Sequence, residues 1–522
     1  MVTNLPQVLL ALIPVALAFP AAFPAPHPVA QPVPHPMITP RASLTDRTPS
    51  LVEERGVISS VESPIKGLES YITSVLGTYP SYIASGVPNF FQDFPTGSAV
   101  QSSLGIGDSD LAATPTQVLN IPGYANWTDQ GWNLRVHGNV FKQPNISESK
   151  LDDLANIFLV GTSIEDLPAA QQTQARNLTA EIFVVQQAHV NVSFSLEPAA
   201  SQGGDGESGG GGAVTAGGGA QNITLVGQTT VEGDYDQFIQ IANVSGPGGY
   251  LAPGNDTTDI QRINVYTDGT LTGNATSYLV PESGITIISD IDDILRITKI
   301  YEPEEGLLNS FARPFTQWMN MPDIYANWSR TIPNFHFHYL TTTPEQVTRN
   351  YMQFIYDTYP GGSFDTRPLN FSDVSATLSI RKYLLTKIFE TYPNRKFILM
   401  ADTSNSDVMK DYPEMATDFP GQVQCIFLRN TSATDSGDKF PYETSGFQNL
   451  NQSQYMFFLV PDDLTNLDIV NGQCYNTSIP QNLTFSLQGL PFGLSKSDAG
   501  KSMAIGRSLV WAAVIGAFML AL

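Results

Sequence analysis

Three aspartates fall within four positions at Asp290, Asp292 and Asp293, directly behind the β-branched run "GITIIS" that starts at Gly284. Carboxylates that close repel one another, so an apolar segment that ends on them needs a reason to do so. Asp402 closes a second apolar run, "KFILMA", with Asp407 in the loop behind it, and Thr341 closes a third, Phe335–Leu340. If these runs are strands of one parallel sheet, their carboxyl ends gather several carboxylates and a hydroxyl at one rim. Oxygen donors of that kind suit a hard cation such as Mg2+, whose charge would offset theirs and that of a bound phosphate. Taken alone, "DIDD" equally suits an acidic turn or a weak Ca2+ loop; the second acidic loop, with Thr341 between the two, favours catalysis.

The elements that must position these groups alternate from residue 284 onward. A strand at Gly284–Ser289 is followed by one at Phe335–Leu340 and then by a helix with Thr343 as N-cap, Pro344 at N1 and Gln346 at N3. Val347, Tyr351, Phe354 and Ile355 give that helix an apolar face, and Ile380, Leu384 and Ile388 mark a second helix over Ile380–Tyr392. The strands "KFILMA" and "VQCIFL" follow, with a loop and a helix between them. This alternation predicts an α/β fold with a doubly wound parallel sheet over 284–485, whose sites lie at the carboxyl ends of the strands. Before it, residues 115–283 carry short alternating runs ("WNLRVHGNVF", "AEIFVVQQ", "NVSFSL", "NITLVGQTTV", "RINVYTDG") separated by Gly and Asn turns, which predict an antiparallel, β-sandwich-like domain. Its Gly-rich stretch, 201–221, lacks the Gly-Lys-Ser/Thr ending of a phosphate loop and is expected to be a surface loop.

Composition narrows the function. The 522 residues carry a formal net charge of −23, which argues against a nucleic-acid partner and against general affinity for anionic membranes. Residues 1–18 have the apolar core and Ala16-Leu17-Ala18 site of a signal peptide, 19–56 form a Pro/Ala-rich linker, and 57–114 a helical or irregular segment with apolar residues at helical spacing from Ile58 to Val75. N-x-S/T sequons recur from Asn126 to Asn482, as in a secreted glycoprotein. The tail 486–522 has small residues at Ser497–Gly500, a short polar spacer and an apolar end, the layout of a GPI-attachment signal with a tail anchor as the alternative. The two cysteines, Cys425 and Cys474, could form one disulfide in an oxidising compartment or stay as buried thiols; the disulfide is the expectation.

The segment from about 284 to 430 resembles the catalytic domain of the actin-patch phosphatidate phosphatases, a branch of the haloacid dehalogenase (HAD) superfamily. Asp290-Ile291-Asp292-Asp293-Ile294 stands for that superfamily's D-x-D-x-T/V motif, "LLNSFARPFTQWMNMPDIYANW" looks like the family's insert, "FHYLTTTPEQ" like its second motif and "RKFILMADTSNSD" like its fourth. More weakly, "GWNLRVHGNVF" resembles the family's preceding β-domain. The resemblance implies an HAD-like phosphatase, most simply one that hydrolyses phosphatidate to diacylglycerol. Asp290 would be the nucleophile, Asp292 the proton donor and acceptor, and Thr341 a ligand to the phosphoryl oxygens. Asp290, the Asp292 carbonyl and Asp402, with Asp407 beside them, would hold Mg2+. The motif-three lysine would be Lys382, with Lys387 as fallback, while Asp293 would matter less to the chemistry. The fourth motif lacks both glycines and the glutamate of the family pattern. That departure leaves a catalytically silent cell-surface glycoprotein, using the fold for binding, as the alternative. A Ca2+-dependent adhesion module is a third possibility. The partners implied are a phospholipid or other phosphate monoester and a membrane, met through a lipid anchor or through the substrate.

Overall fold

The computed structural model describes residues 97–485, apart from 160, 200–220, 242–244, 247–248, 251–258, 271, 368–378, 436–442, 482 and 484. The expected signal peptide, Pro/Ala-rich linker, amphipathic stretch 58–75, almost all of the Gly-rich loop and the C-terminal tail lie outside the described residues. No helix among the described residues is long and apolar enough to cross a membrane.

Two sheets organise the chain. The first opens with β1 (Thr116–Asn120), β2 (Tyr124–Thr128) and the long β3 (Gly131–Lys142). It continues through β4 (Val185–Gln186), β5 (Ser193–Pro198), β6 (Gln221–Thr224) and β7 (Asp234–Gln240). After the short pair β8 (Ser245–Gly246) and β9 (Gly249–Tyr250), which stands apart, β10 (Gln261–Thr267) and β11 (Ala275–Leu279) complete nine strands in one continuous sheet. Every pairing in it is antiparallel except β2 with β11. The alternation read from the sequence is visible in β10, where Ile263, Val265 and Thr267 are buried and their neighbours are not. The run "AEIFVVQQ" behaves differently from expectation. Ala180–Ile182 end a helix, and only Val185–Gln186 join the sheet.

Four helices accompany this part: α1 (Gly97–Leu104), α2 (Asp108–Ala113), α3 (Glu148–Phe158) and α4 (Ala169–Ile182). The last two were not expected within the β-rich segment. Leu154, Ala155 and Phe158 of α3 and Ala175, Leu178 and Ile182 of α4 are the buried stripes that hold them.

The second sheet is parallel throughout. Its strands are β12 (Ile285–Ser289), β13 (Phe335–Pro344), β14 (Ser363–Arg367), β15 (Lys396–Asp402), β16 (Val423–Arg429) and β17 (Tyr455–Phe458), in the order β14-β13-β12-β15-β16-β17. Burial on both faces explains the near-continuous apolar runs: all five residues of β12 are buried. One face packs under α5 (Pro303–Phe311), α6 (Met321–Thr331) and α7 (Glu345–Thr358), through Ile287, Phe337, Tyr339 and Met400. The other packs under α8 (Ile380–Thr391) and α9 (Ser406–Asp418), through Ile288, Leu340, Leu399 and Ile426. The α7 boundary differs by one residue from the capping pattern. Strand β13 runs on to Pro344, which is itself the N-cap, and Thr343 makes no cap. Cys425 of β16 is disulfide-bonded to Cys474, Cα to Cα 5.3 Å, both buried.

The sheets meet at Arg135 of β3. Its guanidinium donates to Asp236 (2.9 Å) and, through Nη1, to Asp365 of β14 (2.6 Å). Two further bonds reinforce the junction, the Phe364 N–H donating to Pro122 O (2.7 Å) and the Tyr392 side-chain hydroxyl to Ala125 O (2.9 Å).

Candidate active site

The central strand β12 delivers Asp290 to the carboxyl rim, where its own N–H donates to Met400 O (2.8 Å) and so ties it to β15. The Asp290 carboxylate is buried. Oδ1 accepts from Ile291 N–H (3.0 Å), and Oδ2 pairs with Arg381 Nη2 at 2.9 Å. Loss of solvation pushes its pKa up to about 6, against the pull of Arg381 and with the push of Asp292. Arg381 is 1% exposed and borders the Tyr412 ring, and among the described residues its Nε and Nη1 groups meet no hydrogen-bond partner of good geometry. A buried cation that keeps N–H groups in reserve beside a carboxylate is well suited to receive an anion.

Asp292 turns the other way. Its Oδ1 accepts from Arg296 Nε (2.9 Å) and from Thr298 Oγ1 (2.7 Å). Asp293, almost wholly buried, has a left-handed φ of 57° that aims its carboxylate back at the following turn. Oδ1 accepts from Thr298 N–H (3.0 Å) and Lys299 N–H (2.8 Å), and Oδ2 from Ile300 N–H (3.2 Å). Asp293 thus shapes the loop that carries the other two aspartates.

Asp402, at the end of β15, accepts from Ser404 N–H (2.7 Å) and is raised above the carboxylate range by burial first and then by Asp293 and Asp290. Asp407 stands in the first turn of α9, its Oδ2 buried and without a hydrogen-bond partner among the described residues, and burial followed by Asp411 pushes it up to about 6. Thr341 is buried within β13, three residues before its end, accepts from Thr343 N–H (3.1 Å) and lies within 3.5 Å of Tyr351 Oη.

The fold therefore brings Asp290, Asp292 and Asp402 into electrostatic contact at one rim, with Asp407 reaching it through Arg381. Lys382 is not there: its Nζ is 2.8 Å from both Glu414 and Asp418 of α9. Lys387 pairs with Asp236 of the other sheet. The cation beside Asp290 is Arg381, one residue earlier. Helical phase could have found it, since Arg381 shares a buried stripe with Leu384, Leu385 and Ile388 while Lys382 stands a step around the helix. Arg296 and Thr298 carried no signal of their own in the sequence, and Tyr351 showed there only as part of a helix's apolar face.

An all-oxygen donor set in which burial first, and then neighbouring carboxylates, raises Asp290 and Asp402 suits a hard cation in kind, and among the described residues Asp407 Oδ2 accepts no hydrogen bond. Among the described residues, however, no group of three or more His, Cys, Asp or Glu side chains is gathered closely enough to hold a metal as it stands.

Residues 285–430 match the family model for phosphatidate phosphatase APP1, catalytic domain, which covers β12 to the end of β16 and every motif position named above. An uncharacterized protein of Schizosaccharomyces pombe is 28% identical over 172 residues, 30% of this chain and 27% of that relative. The chain thus spans about a quarter of the length of the curated relative it matches.

Proposed function

We propose that the chain is a Mg2+-dependent, HAD-like phosphatase that hydrolyses a phosphate monoester, with phosphatidate as substrate and diacylglycerol as product. The observation that carries this is the buried Asp290–Arg381 pair at the end of the central strand, where a cation and a carboxylate meet at one carboxyl rim. Asp290 would attack phosphorus as the ester P–O bond breaks, while Asp292 gives its proton to the departing oxygen. Water, returning its proton to Asp292, would then attack the aspartyl-phosphate, release inorganic phosphate and restore Asp290. Arg381 and the Thr341 hydroxyl would hold the phosphoryl oxygens. When bound, Mg2+ would neutralise part of the carboxylate and phosphoryl charge, held by Asp290, the Asp292 carbonyl and Asp402, with Asp407 beside them.

The proposal places the protein in the secretory route and at the cell surface, GPI-anchored. A Cys425–Cys474 disulfide is what an oxidising compartment yields. Asn145, Asn177, Asn191, Asn222, Asn327 and Asn451 are exposed, as glycan carriers must be, whereas Asn126 is buried. A second reading, a silent surface glycoprotein, draws support from the fourth motif, "ADTSNSD", which lacks both glycines and the glutamate of the family pattern.

The deciding experiment measures phosphate release from phosphatidate, lysophosphatidate and soluble monoesters, with and without Mg2+. Mg2+-dependent release that disappears in Asp290→Asn, while that variant still folds and is secreted, is expected. A wild type that releases no phosphate from any ester would leave the silent-glycoprotein reading standing.

A further inference from the structure

Two donors converge on one oxygen of Asp292. Arg296 Nε reaches Oδ1 at 2.9 Å and Nη2 at 2.8 Å, and Thr298 Oγ1 reaches the same atom at 2.7 Å. Among the described residues no donor engages Oδ2. The guanidinium is itself fixed. It is 3% exposed, lies over the Tyr351 ring at 4.3 Å and the Phe315 ring at 5.1 Å, and those rings pack edge to face. Two aromatic rings set edge to face around a guanidinium confine it in a way that a compact, strongly hydrated lysine ammonium does not reproduce. Main-chain bonds from Asp293 N–H to Arg296 O (2.9 Å) and from Arg296 N–H to Ile291 O (3.2 Å) close the loop, so Asp292 and its clamp move as one piece.

We propose that Arg296 is a positioning residue that, with Thr298, pins Asp292 by Oδ1 and presents Oδ2 alone to the leaving-group oxygen and then to water. The inference rests on the phosphatase reading above. Its physical basis is orientation. A carboxyl group able to rotate would offer either oxygen in many poses, and proton transfer in the transition state tolerates little misplacement.

The test exploits the leaving group, because an ester whose leaving oxygen is already a good anion needs little proton donation. In the presence of Mg2+, Arg296→Gln is expected to lower kcat about 10²-fold or more on an alkyl phosphate and less than about 10-fold on 4-nitrophenyl phosphate, with KM changed little. Arg296→Lys should fall between it and the wild type. In an Asp292→Asn background, Arg296→Gln should cost little more, since the group it positions is gone. Should Arg296→Gln fail to fold, Thr298→Val, which removes a donor to the same oxygen and leaves the guanidinium in place, must show a smaller loss with the same leaving-group dependence. Equal losses on both substrates, a loss confined to KM, or full additivity with Asp292→Asn would overturn the inference and leave the phosphatase reading intact. Absence of turnover in the wild type would remove both.

Discussion

At a φ of 57°, Asp293 turns a buried carboxylate onto three successive amide groups, those of Thr298, Lys299 and Ile300. Asn tolerates the left-handed conformation, so Asp293→Asn would not be penalised by its backbone. An amide, however, offers one acceptor oxygen and must turn its NH2 toward main-chain N–H groups that have no other partner. The cost expected is about 2–3 kcal/mol, read as a lower urea midpoint with an unchanged slope. Asp290→Asn should differ, abolishing turnover while the protein still folds, because the Asp290 carboxylate serves one main-chain N–H, that of Ile291, where Asp293 serves three. If Asp293→Asn is as stable as the wild type, the three amides do not depend on its charge. From the sequence Asp293 reads as the spare member of the trio; only the course of the chain after it reveals the amides it serves.

At the scale of the element, helix α8 separates two adjacent cations by about 100° of helical phase. Arg381→Gln should reduce turnover by 10² or more, whereas Lys382→Gln, which loses only its pairs with Glu414 and Asp418, should keep it within about twofold. The reverse ranking of the two variants in one phosphate-release assay would return the anion-facing role to Lys382. The case also shows what was legible. The extents of β12, β15, β16 and α8 follow from apolar runs and four-residue spacing, and the structure reproduces them to within a residue or two. Helices α3 and α4 were missed because their apolar stripes are narrow and lie among strand-like segments. The α7 boundary slipped because Pro344, with φ fixed near the value strands and caps share, extends β13 as readily as it starts a helix.

Over the whole molecule, the junction of the two sheets buries a polar cluster that no local pattern announces, since Arg135 and Asp365 lie 230 residues apart. Three neutral histidines belong to it or border it. Burial lowers His338 to about 4, His137 to about 3 and His336 well below its ordinary value. His338 faces Asp365, which favours its charged form, and Arg135, which opposes it; Ser363 Oγ lies 2.8 Å from its Nδ1. A histidine lowered in the folded state takes up its proton only on unfolding, so its contribution is lost as pH falls from about 6.5 toward 4. The buried carboxyls at the rim, raised in the folded state, act in the opposite sense over part of this window, and a difference between variants isolates the histidine. His338→Gln should reduce the fall of unfolding free energy with decreasing pH, between about 6.5 and 4, by up to ~1.4 kcal/mol per pH unit. Parallel curves for the two proteins would mean that His338 titrates as freely in the fold as outside it.

The Cys425–Cys474 bond gives the chain a mechanical property as well. The edge strand β17 lies inside the loop that this bond closes, between β16 and Cys474. A pull applied beyond Cys474 therefore cannot unzip β17 from its neighbour one hydrogen bond at a time. The tension passes through the covalent link straight into β16, whose register with β15 must then be sheared as a whole. Reduction of the disulfide would change the load path from shear to peeling.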